Sequence, residues 1–225
     1  MPILDAVDLY RFYHIGDSET LALRGVSLQI AAGETVAVMG PSGSGKSTLL
    51  ACLSGLDEPD GGAVDLLGRR LSRRPERERA AMRAASIGVL LQAGNLFAHL
   101  SVANNMRLSM RLARKHDEQR LTDLLAQVGL ADRRHAHPAQ LSGGESARAG
   151  LAVALAAAPA LLLADEPTAE VDAETEAQIL RLFAAHRDAG GAALIVTHSE
   201  ALAAQMDRVV RLRDGRIDDH GEPCD

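Results

Sequence analysis

The sequence predicts an α/β fold with a mostly parallel sheet, an N-terminal antiparallel β layer and an inserted helical subdomain. Three short apolar runs, ETVAVMG, ALLLAD and AALIVTH, are typical of buried parallel strands. A Gly-rich stretch follows the first run, and an Arg/Leu/Ala-rich region of helical period precedes the other two. We therefore expect a single domain in which residues 1–92 and 141–225 form the core and residues 93–140 form the helical subdomain.

The remaining elements follow from local patterns along the chain. Loose polar–apolar alternation in ILDAVDLYRFY, LALRGVSLQI and GAVDLLG predicts the strands of the antiparallel layer. The charged run SRRPERERAAMR predicts a solvated helix face. The segment VANNMRLSMRLARKHDEQRLTDLLAQVG predicts the helices of the inserted subdomain, and Pro138 is expected to end the last of them.

Composition limits the classes of function. The chain has 225 residues, 47% hydrophobic and only 2% aromatic, so aliphatic side chains must fill its core. A net charge of −6 argues against a nucleic-acid partner bound by bulk electrostatics. Cys52 and Cys224 favour a reducing compartment without a structural disulfide. We expect no secretory signal, because the N-terminal stretch MPILDAVDLYRFYHIG contains Asp and lacks a long apolar run. We also expect no membrane span, because the most apolar segment is interrupted by Pro159.

The stretch GPSGSGKST matches the pattern G-x-x-x-x-G-K-[ST] between a predicted strand and a predicted helix. Its glycines allow backbone N–H groups to surround phosphates, Lys46 adds a positive charge, and the Ser47 hydroxyl is a ligand for Mg²⁺. The pattern predicts a P-loop NTPase core. Its nucleotide-binding residues are Gly40, Pro41, Ser42, Gly43, Ser44, Gly45, Lys46, Ser47 and Thr48.

Two further motifs carry candidate chemistry. In LLLADEPT, Asp165 ends an apolar strand, where it can hold Mg²⁺, and Glu166 is placed to act as general base on a water. In LSGGESARAG, Ser142, Gly143 and Gly144 precede an Ala-rich helix, which predicts an anion site at the helix N-terminus. One chain thus carries two phosphate sites about a hundred residues apart.

The order of GPSGSGKST, a Gln after a strand, LSGGE, LLLADEPT and VTHS resembles the nucleotide-binding subunit of an ATP-binding cassette transporter over essentially the whole chain. ALRGVSLQIAAGE and SGLDEPDGG further resemble the branch with lipoprotein-releasing, macrolide-efflux, antimicrobial-peptide-resistance and cell-division ATPases. The resemblance implies a head-to-tail dimer, in which each ATP lies between one chain's P-loop and the partner's Ser142–Gly144. It also implies a membrane permease that holds the cytoplasmic chain against the membrane.

The resemblance assigns roles to further residues. It implies that Tyr13 stacks on adenine, that His198 contacts the γ-phosphate and that Asp172 belongs to a loop communicating across the dimer. Gln92 would touch Mg²⁺ and the attacking water, which makes Ser47, Gln92 and Asp165 the expected metal ligands. Each residue also has an ordinary alternative: a strand tyrosine, a structural histidine, a surface turn acid and an exposed glutamine.

Some positions depart from the family pattern. Ser146 and Ala147 stand where Gln-like residues are usual, Val153 where Arg is frequent, and Leu91 where an aromatic residue is common. None of these departures removes a phosphate, metal or water ligand, so we expect hydrolysis to be retained. The segment AGNLFAHLSVANNM is the expected permease contact, with Leu96, Phe97 and Leu100 either exposed in a groove or buried within the subdomain.

These inferences leave two functions open. The first is an ATP-hydrolysing subunit that drives a transporter for export or for lipoprotein or peptide handling. The alternative is the ATPase of a mechanotransmission complex that regulates an envelope process such as cell division without moving cargo. A soluble nucleic-acid or translation factor is disfavoured, because that class generally needs two fused cassettes or long coiled-coil insertions.

Overall fold

The structure is a computed structural model that describes residues 2–15, 18–169 and 171–218. Cys224 lies outside these residues. The strands form two sheets, one of four strands and one of six.

The four-stranded sheet is the predicted antiparallel layer. Its strands are β1 (Leu4–Ile15), β2 (Ser18–Ile30), β4 (Gly61–Leu66) and β5 (Arg69–Arg70), in the order β2-β1-β4-β5. β1 pairs antiparallel with both β2 and β4, and the register shifts after Ala6 and again around Tyr10. Each shift increases the local twist of the layer.

The six-stranded sheet contains the three predicted parallel strands at its centre. Its order is β10-β9-β3-β8-β7-β6, with β10 antiparallel to β9 and the other neighbours parallel. The strands are β3 (Thr35–Met39), β6 (Ile87–Leu90), β7 (Leu161–Asp165), β8 (Ala192–Val196), β9 (Arg208–Arg213) and β10 (Arg216–Ile217).

The central strands are apolar except at Thr35 and Asp165, which lie at strand ends, because both of their faces are covered. In β7, Leu161 and Leu163 join the cluster shared with the antiparallel layer, whereas Leu162 and Ala164 join the cluster on the opposite face. This alternation follows from the two-residue period of a strand. The run of buried side chains therefore fixes the sheet between two layers of other elements.

Seven α-helices and two 3₁₀ helices complete the described residues. The α-helices are α1 (Lys46–Leu53), α2 (Glu76–Ser86), α3 (Val102–Leu112), α4 (Glu118–Gln127), α5 (Gly143–Ala156), α6 (Ala173–Asp188) and α7 (Glu200–Ala203); the 3₁₀ helices are Ala131–Arg133 and Pro138–Gln140. Within the described residues, no helix combines the length and the apolar character that crossing a membrane requires.

Helix α1 lies between the two sheets, since it contacts β1 and β2 on one side and β7 and β8 on the other. Helices α3 and α4 occupy the segment predicted to be helical and pack on α5. Lys115 Nζ donates hydrogen bonds to the carbonyls of Ala85, Ala157 and Ala158, and Arg120 donates to those of Leu155 and Ala156. These cations satisfy carbonyl groups at the C-terminal ends of α2 and α5.

One local prediction is confirmed only in part, and a second is wrong. The charged run is not a solvated face throughout, because the Arg79 and Arg83 side chains are only 15% and 19% exposed. Arg79 pairs with Glu58 and Glu76, and Arg83 donates to the Gly55 carbonyl at 2.9 Å. Pro138 does not end a helix but begins a 3₁₀ helix, since α4 already ends at Gln127. The fixed φ of proline suits a first helical position.

Candidate functional site

The phosphate-binding loop connects the end of β3 to the start of α1. The Gly215 N–H donates to the Ser44 carbonyl at 3.0 Å, and the Arg24 N–H donates to the Gly215 carbonyl at 2.8 Å. The loop is therefore held against β2 and the β9–β10 turn by backbone bonds. Neither of these two bonds involves a side chain.

Two glycines of this loop are required by close contacts. Gly40 has φ 153°, and a Cβ there would lie 2.0 Å from the Leu212 carbonyl oxygen. Gly45 has φ 104°, and its Cβ would lie 2.4 Å from the Ala22 carbonyl oxygen. Because both neighbours are backbone atoms, neither contact could be relieved by rotating a side chain.

Lys46 is the buried cation of the site. Its Nζ donates to the Gly40 and Pro41 carbonyls at 2.8 and 2.9 Å. Burial lowers the pKa of Lys46, while the nearby Glu166 and Asp165 carboxylates act in the opposite direction. The ammonium is thus placed beside the loop, where it can interact with phosphate oxygens.

Ser47 and Asp165 bring two oxygen ligands together. The Ser47 Oγ donates to Asp165 Oδ2 at 3.3 Å, although 118 residues separate them. Hydroxyl and carboxylate oxygens are the protein ligands that Mg²⁺ prefers. Its other ligands are usually waters and substrate phosphates. The two residues therefore fit a Mg²⁺ site that is completed by the nucleotide.

Glu166 combines an unusual backbone conformation with a carboxylate oxygen that accepts no hydrogen bond. Its φ is 47°, which non-glycine residues rarely adopt and which often occurs at functional sites. Oε2 accepts a hydrogen bond from the Thr197 hydroxyl at 3.2 Å, whereas Oε1 is buried without a hydrogen bond and lies 3.7 Å from His198 Nε2. A buried acceptor without a donor is suited to binding a water molecule.

A single cavity of about 590 Å³ collects most of the predicted site residues. Its lining includes Tyr13, Ser42, Gly43, Gly45, Lys46, Ser47, Thr48, Gln92, Asp165, Glu166 and His198. Gly40, Pro41 and Ser44 belong to the loop but do not line the cavity. A Cβ on Gly43, where φ is 78°, would meet no atom within 4 Å, so this part of the loop is open to a ligand.

The cavity also contains residues that the motifs do not predict. These are Thr20, Leu21, Ala22 and Arg24 from β2, with Asp214 and Gly215 from the β9–β10 turn. The Asp-Gly pair is a turn signal in the sequence. Nothing in the sequence indicates that this turn lies against the phosphate-binding loop.

Tyr13 is held at the cavity by its neighbours. Its hydroxyl donates to Asp57 Oδ2 at 2.8 Å, and the Arg11 guanidinium carbon lies 4.8 Å from the ring centroid. Burial raises the pKa of Asp57, but the hydrogen bonds from Tyr13 and Arg11 outweigh it, so the pKa lies below its ordinary value. Stacking of Tyr13 on a nucleobase stays a prediction.

Ser142, Gly143, Gly144 and Asp172 do not line the cavity of their own chain. Ser142 is the N-cap of α5: its Oγ accepts from the Glu145 N–H, and Glu145 accepts from the Ser142 N–H at 2.8 Å. Asp172 caps α6 by accepting from the Thr175 N–H at 2.8 Å, and this bond is the main reason that its pKa lies below the ordinary value. Both helix N-termini lie apart from the P-loop.

The two helix starts are joined to each other. Arg148 of α5 donates to the Thr175 hydroxyl at 2.8 Å and to the Val128 carbonyl at 3.0 Å. Gly144 is close enough to Thr175 that a Cβ would lie 3.1 Å from its hydroxyl oxygen. The predicted anion site and the Asp172 loop therefore form one unit.

A second groove of about 420 Å³ lies beside Gln92. Gln92 lines both this groove and the larger cavity, while Leu96, Gly143, Ser146 and Ala147 line the groove alone. Among the three residues expected at a permease contact, Phe97 is 57% exposed, whereas Leu96 and Leu100 are half-buried. Neither alternative holds for all three residues, because Phe97 is exposed without lining the groove and Leu96 lines the groove while half-buried. His99, His135 and His137 are exposed.

A six-stranded sheet of mainly parallel strands, a phosphate-binding loop at the end of β3 and acidic residues at the end of β7 define a P-loop NTPase. Residues 23–169 match the family described as ABC transporter. The chain belongs to this family. It is an ATP-binding domain of an ABC transporter and an ATP hydrolase.

Named relatives match nearly the whole chain. An uncharacterized ABC transporter ATP-binding protein of Thermotoga maritima is 42% identical over 96% of this chain and 94% of its own length. The lipoprotein-releasing system ATP-binding protein LolD 2 of Caulobacter vibrioides is 41% identical over 96% of this chain and 97% of its own length. The macrolide export ATP-binding/permease protein MacB of Chlorobium luteolum is 41% identical, but the chain spans only 33% of its length.

The fold agrees with a solved cassette. The dimeric post-hydrolysis state of the ATP-binding cassette MJ0796 with ADP and Pi superimposes with a TM-score of 0.90 at 31% identity, covering 96% of each chain. The α/β class with an antiparallel layer is therefore confirmed.

Proposed function

We propose that this chain powers a membrane transporter for export or for lipoprotein or peptide handling, and that two copies enclose ATP between them. The observation that carries the proposal is the single cavity that contains the P-loop, Asp165, Glu166, Gln92 and His198. Its volume of about 590 Å³ lies within the range of small-molecule sites.

The residues of the cavity have complementary roles in hydrolysis. Backbone N–H groups of the loop and Lys46 bind the phosphates. Ser47, Asp165 and Gln92 would hold Mg²⁺, which would neutralise phosphate charge during hydrolysis. Glu166 accepts a proton from the water that attacks the γ-phosphorus, the bond to the β-phosphate oxygen breaks, and ADP and phosphate leave.

The enclosing dimer explains the second anion site. The N-terminus of α5 is exposed at Ser142 and Gly143 and lies outside the cavity of its own chain. Free N–H groups and the positive end of the helix dipole favour an anion there. A phosphate that is bound by the P-loop of a second copy fits this requirement. The dimeric MJ0796 cassette at TM-score 0.90 supports such an arrangement.

The base role is tested by Glu166→Gln, which keeps the shape but removes the proton acceptor. Phosphate release should fall by about 10²–10⁴-fold, the usual contribution of a general base. ATP binding should remain, and gel filtration with Mg²⁺ and ATP should show a dimer. Glu78→Gln, at an exposed ion pair on α2, is the matched control. Full activity of Glu166→Gln would remove Glu166 from this role.

The dimer is tested by Ser142→Arg, which places a long side chain at the start of α5. The variant should bind nucleotide normally but should fail to form the ATP-dependent dimer. Gln119→Arg adds the same side chain to the exposed surface of α4 and should dimerise. A dimer peak for Ser142→Arg would contradict the shared site.

The membrane partner is tested by purifying this chain from membranes, at whose cytoplasmic face we expect it, and identifying the proteins that co-purify with it. We expect an integral membrane permease, in keeping with relatives named for lipoprotein release and macrolide export. Reconstitution of the pair in vesicles should give ATP-dependent movement of cargo. ATP hydrolysis without movement would favour the mechanotransmission alternative.

A further inference from the structure

Arg11, Asp57 and Asp60 form an ion-pair cluster behind Tyr13. Arg11 Nε and a terminal nitrogen donate to the two oxygens of Asp57, each at 2.9 Å, and the other terminal nitrogen contacts Asp60 at 3.1 Å. The Arg11 side chain is only 20% exposed. Bidentate pairs of this kind are stronger and geometrically more specific than single hydrogen bonds.

This cluster constrains Tyr13 at two points. The Asp57 carboxylate accepts from the Tyr13 hydroxyl at 2.8 Å, and the Arg11 guanidinium covers one face of the ring at 4.8 Å. Arg11 and Tyr13 are two residues apart on β1, so their side chains leave the strand on the same side. Tyr13 lines the cavity and Arg11 does not.

The cluster also connects Tyr13, at the proposed nucleobase side of the cavity, to the segment that begins at the phosphate-binding loop. Asp57 follows α1 by four residues, and α1 begins at Lys46 of the phosphate-binding loop. The Phe12 N–H donates to Asp60 Oδ2 at 2.7 Å, so that β1 is fixed to the same segment. The distance between Tyr13 and the loop is thus set by one connected set of contacts.

We propose that Arg11 and Asp57 are positioning residues that orient the Tyr13 ring for stacking on the base of the bound nucleotide. The proposal rests on the proposed role of Tyr13 in binding adenine. A ring that is held in place before binding loses less conformational freedom when the base stacks on it. Removal of the cluster should therefore weaken nucleotide binding and leave the chemical step unchanged.

The test compares ADP, which carries the base, with pyrophosphate, which lacks it. Isothermal titration calorimetry of Arg11→Gln and Asp57→Asn should show the Kd for ADP raised by about 2- to 10-fold, the range for ordering one side chain. The Kd for pyrophosphate should stay within about twofold of wild type, because the phosphate loop is intact. In steady-state assays KM for ATP should rise while kcat is unchanged.

Three further variants separate the possible failures. Arg11→Lys keeps the charge and should be intermediate. Arg107→Gln removes a comparable bidentate pair with Glu118 on the helical subdomain and should bind both ligands like wild type. Tyr13→Ala should weaken ADP binding but not pyrophosphate binding.

The outcomes distinguish this proposal from the one on which it rests. Equal weakening of ADP and pyrophosphate in Arg11→Gln would show that the cluster supports the loop, and it would overturn the positioning role. Normal ADP binding by Arg11→Gln together with weak ADP binding by Tyr13→Ala would also overturn the positioning role, while the stacking of Tyr13 on the nucleobase would stand. Normal ADP binding by Tyr13→Ala would refute the stacking of Tyr13 on the nucleobase. Thermal unfolding of each variant checks that it is folded.

Discussion

Replacing Gly45 by alanine should destabilise the domain through the phosphate-binding loop. The φ of 104° is unfavourable for alanine and costs about 1–3 kcal/mol. The new Cβ would lie 2.4 Å from the Ala22 carbonyl oxygen, and forcing an atom into packed space adds about 1–3 kcal/mol. The expected loss is therefore about 2–6 kcal/mol, a large part of the stability of an ordinary domain.

Gly43→Ala is the matched control, because it has a positive φ of 78° with no atom within 4 Å of the new Cβ. It should lose only the conformational contribution of about 1–3 kcal/mol. Urea unfolding followed by circular dichroism gives both free energies from the midpoint and slope. If Gly45→Ala proved no less stable than Gly43→Ala, the contact with Ala22 would not constrain the loop and the reasoning would be refuted.

Two further predictions concern the packing around α5 and α6. Burial lowers the pKa of His186, whose Nε2 lies 3.1 Å from the Ala192 carbonyl. The unfolded chain therefore takes up a proton more readily, and stability should be full above about pH 6.5 and decline as the pH falls below it. Urea unfolding at pH 7.5 and 5.5 should show a smaller decline in His186→Gln; an equal decline would contradict this. Lys115→Met leaves three carbonyls without the ammonium that donates to them, and it should lower the free energy of unfolding, measured with urea, by about 1–2 kcal/mol. Exposed Arg111→Met is its control, and equal stability of the two would refute the role of Lys115.

Sequence and structure agree closely for features that depend only on residues close together in the chain. The runs around Val36, Leu163 and Ile195 are buried on both faces, and this burial favours apolar residues at nearly every position, Thr35 at the start of β3 being a buried polar exception. The P-loop is predictable because one short segment supplies its glycines, Lys46 and Ser47. The capping box of Ser142 and Glu145 also involves only neighbours in sequence.

The sequence by itself therefore determined the class of fold, the phosphate-binding loop, and the candidate residues at the ends of β7 and β8. Only the tertiary structure decided which distant groups meet them. The contact between Arg11 and Asp57 spans 46 residues, and the β9–β10 turn reaches the P-loop across most of the chain. It also decided that Arg79 is largely buried. Such pairings depend on how the two sheets pack around α1, and no local pattern of residues records that geometry.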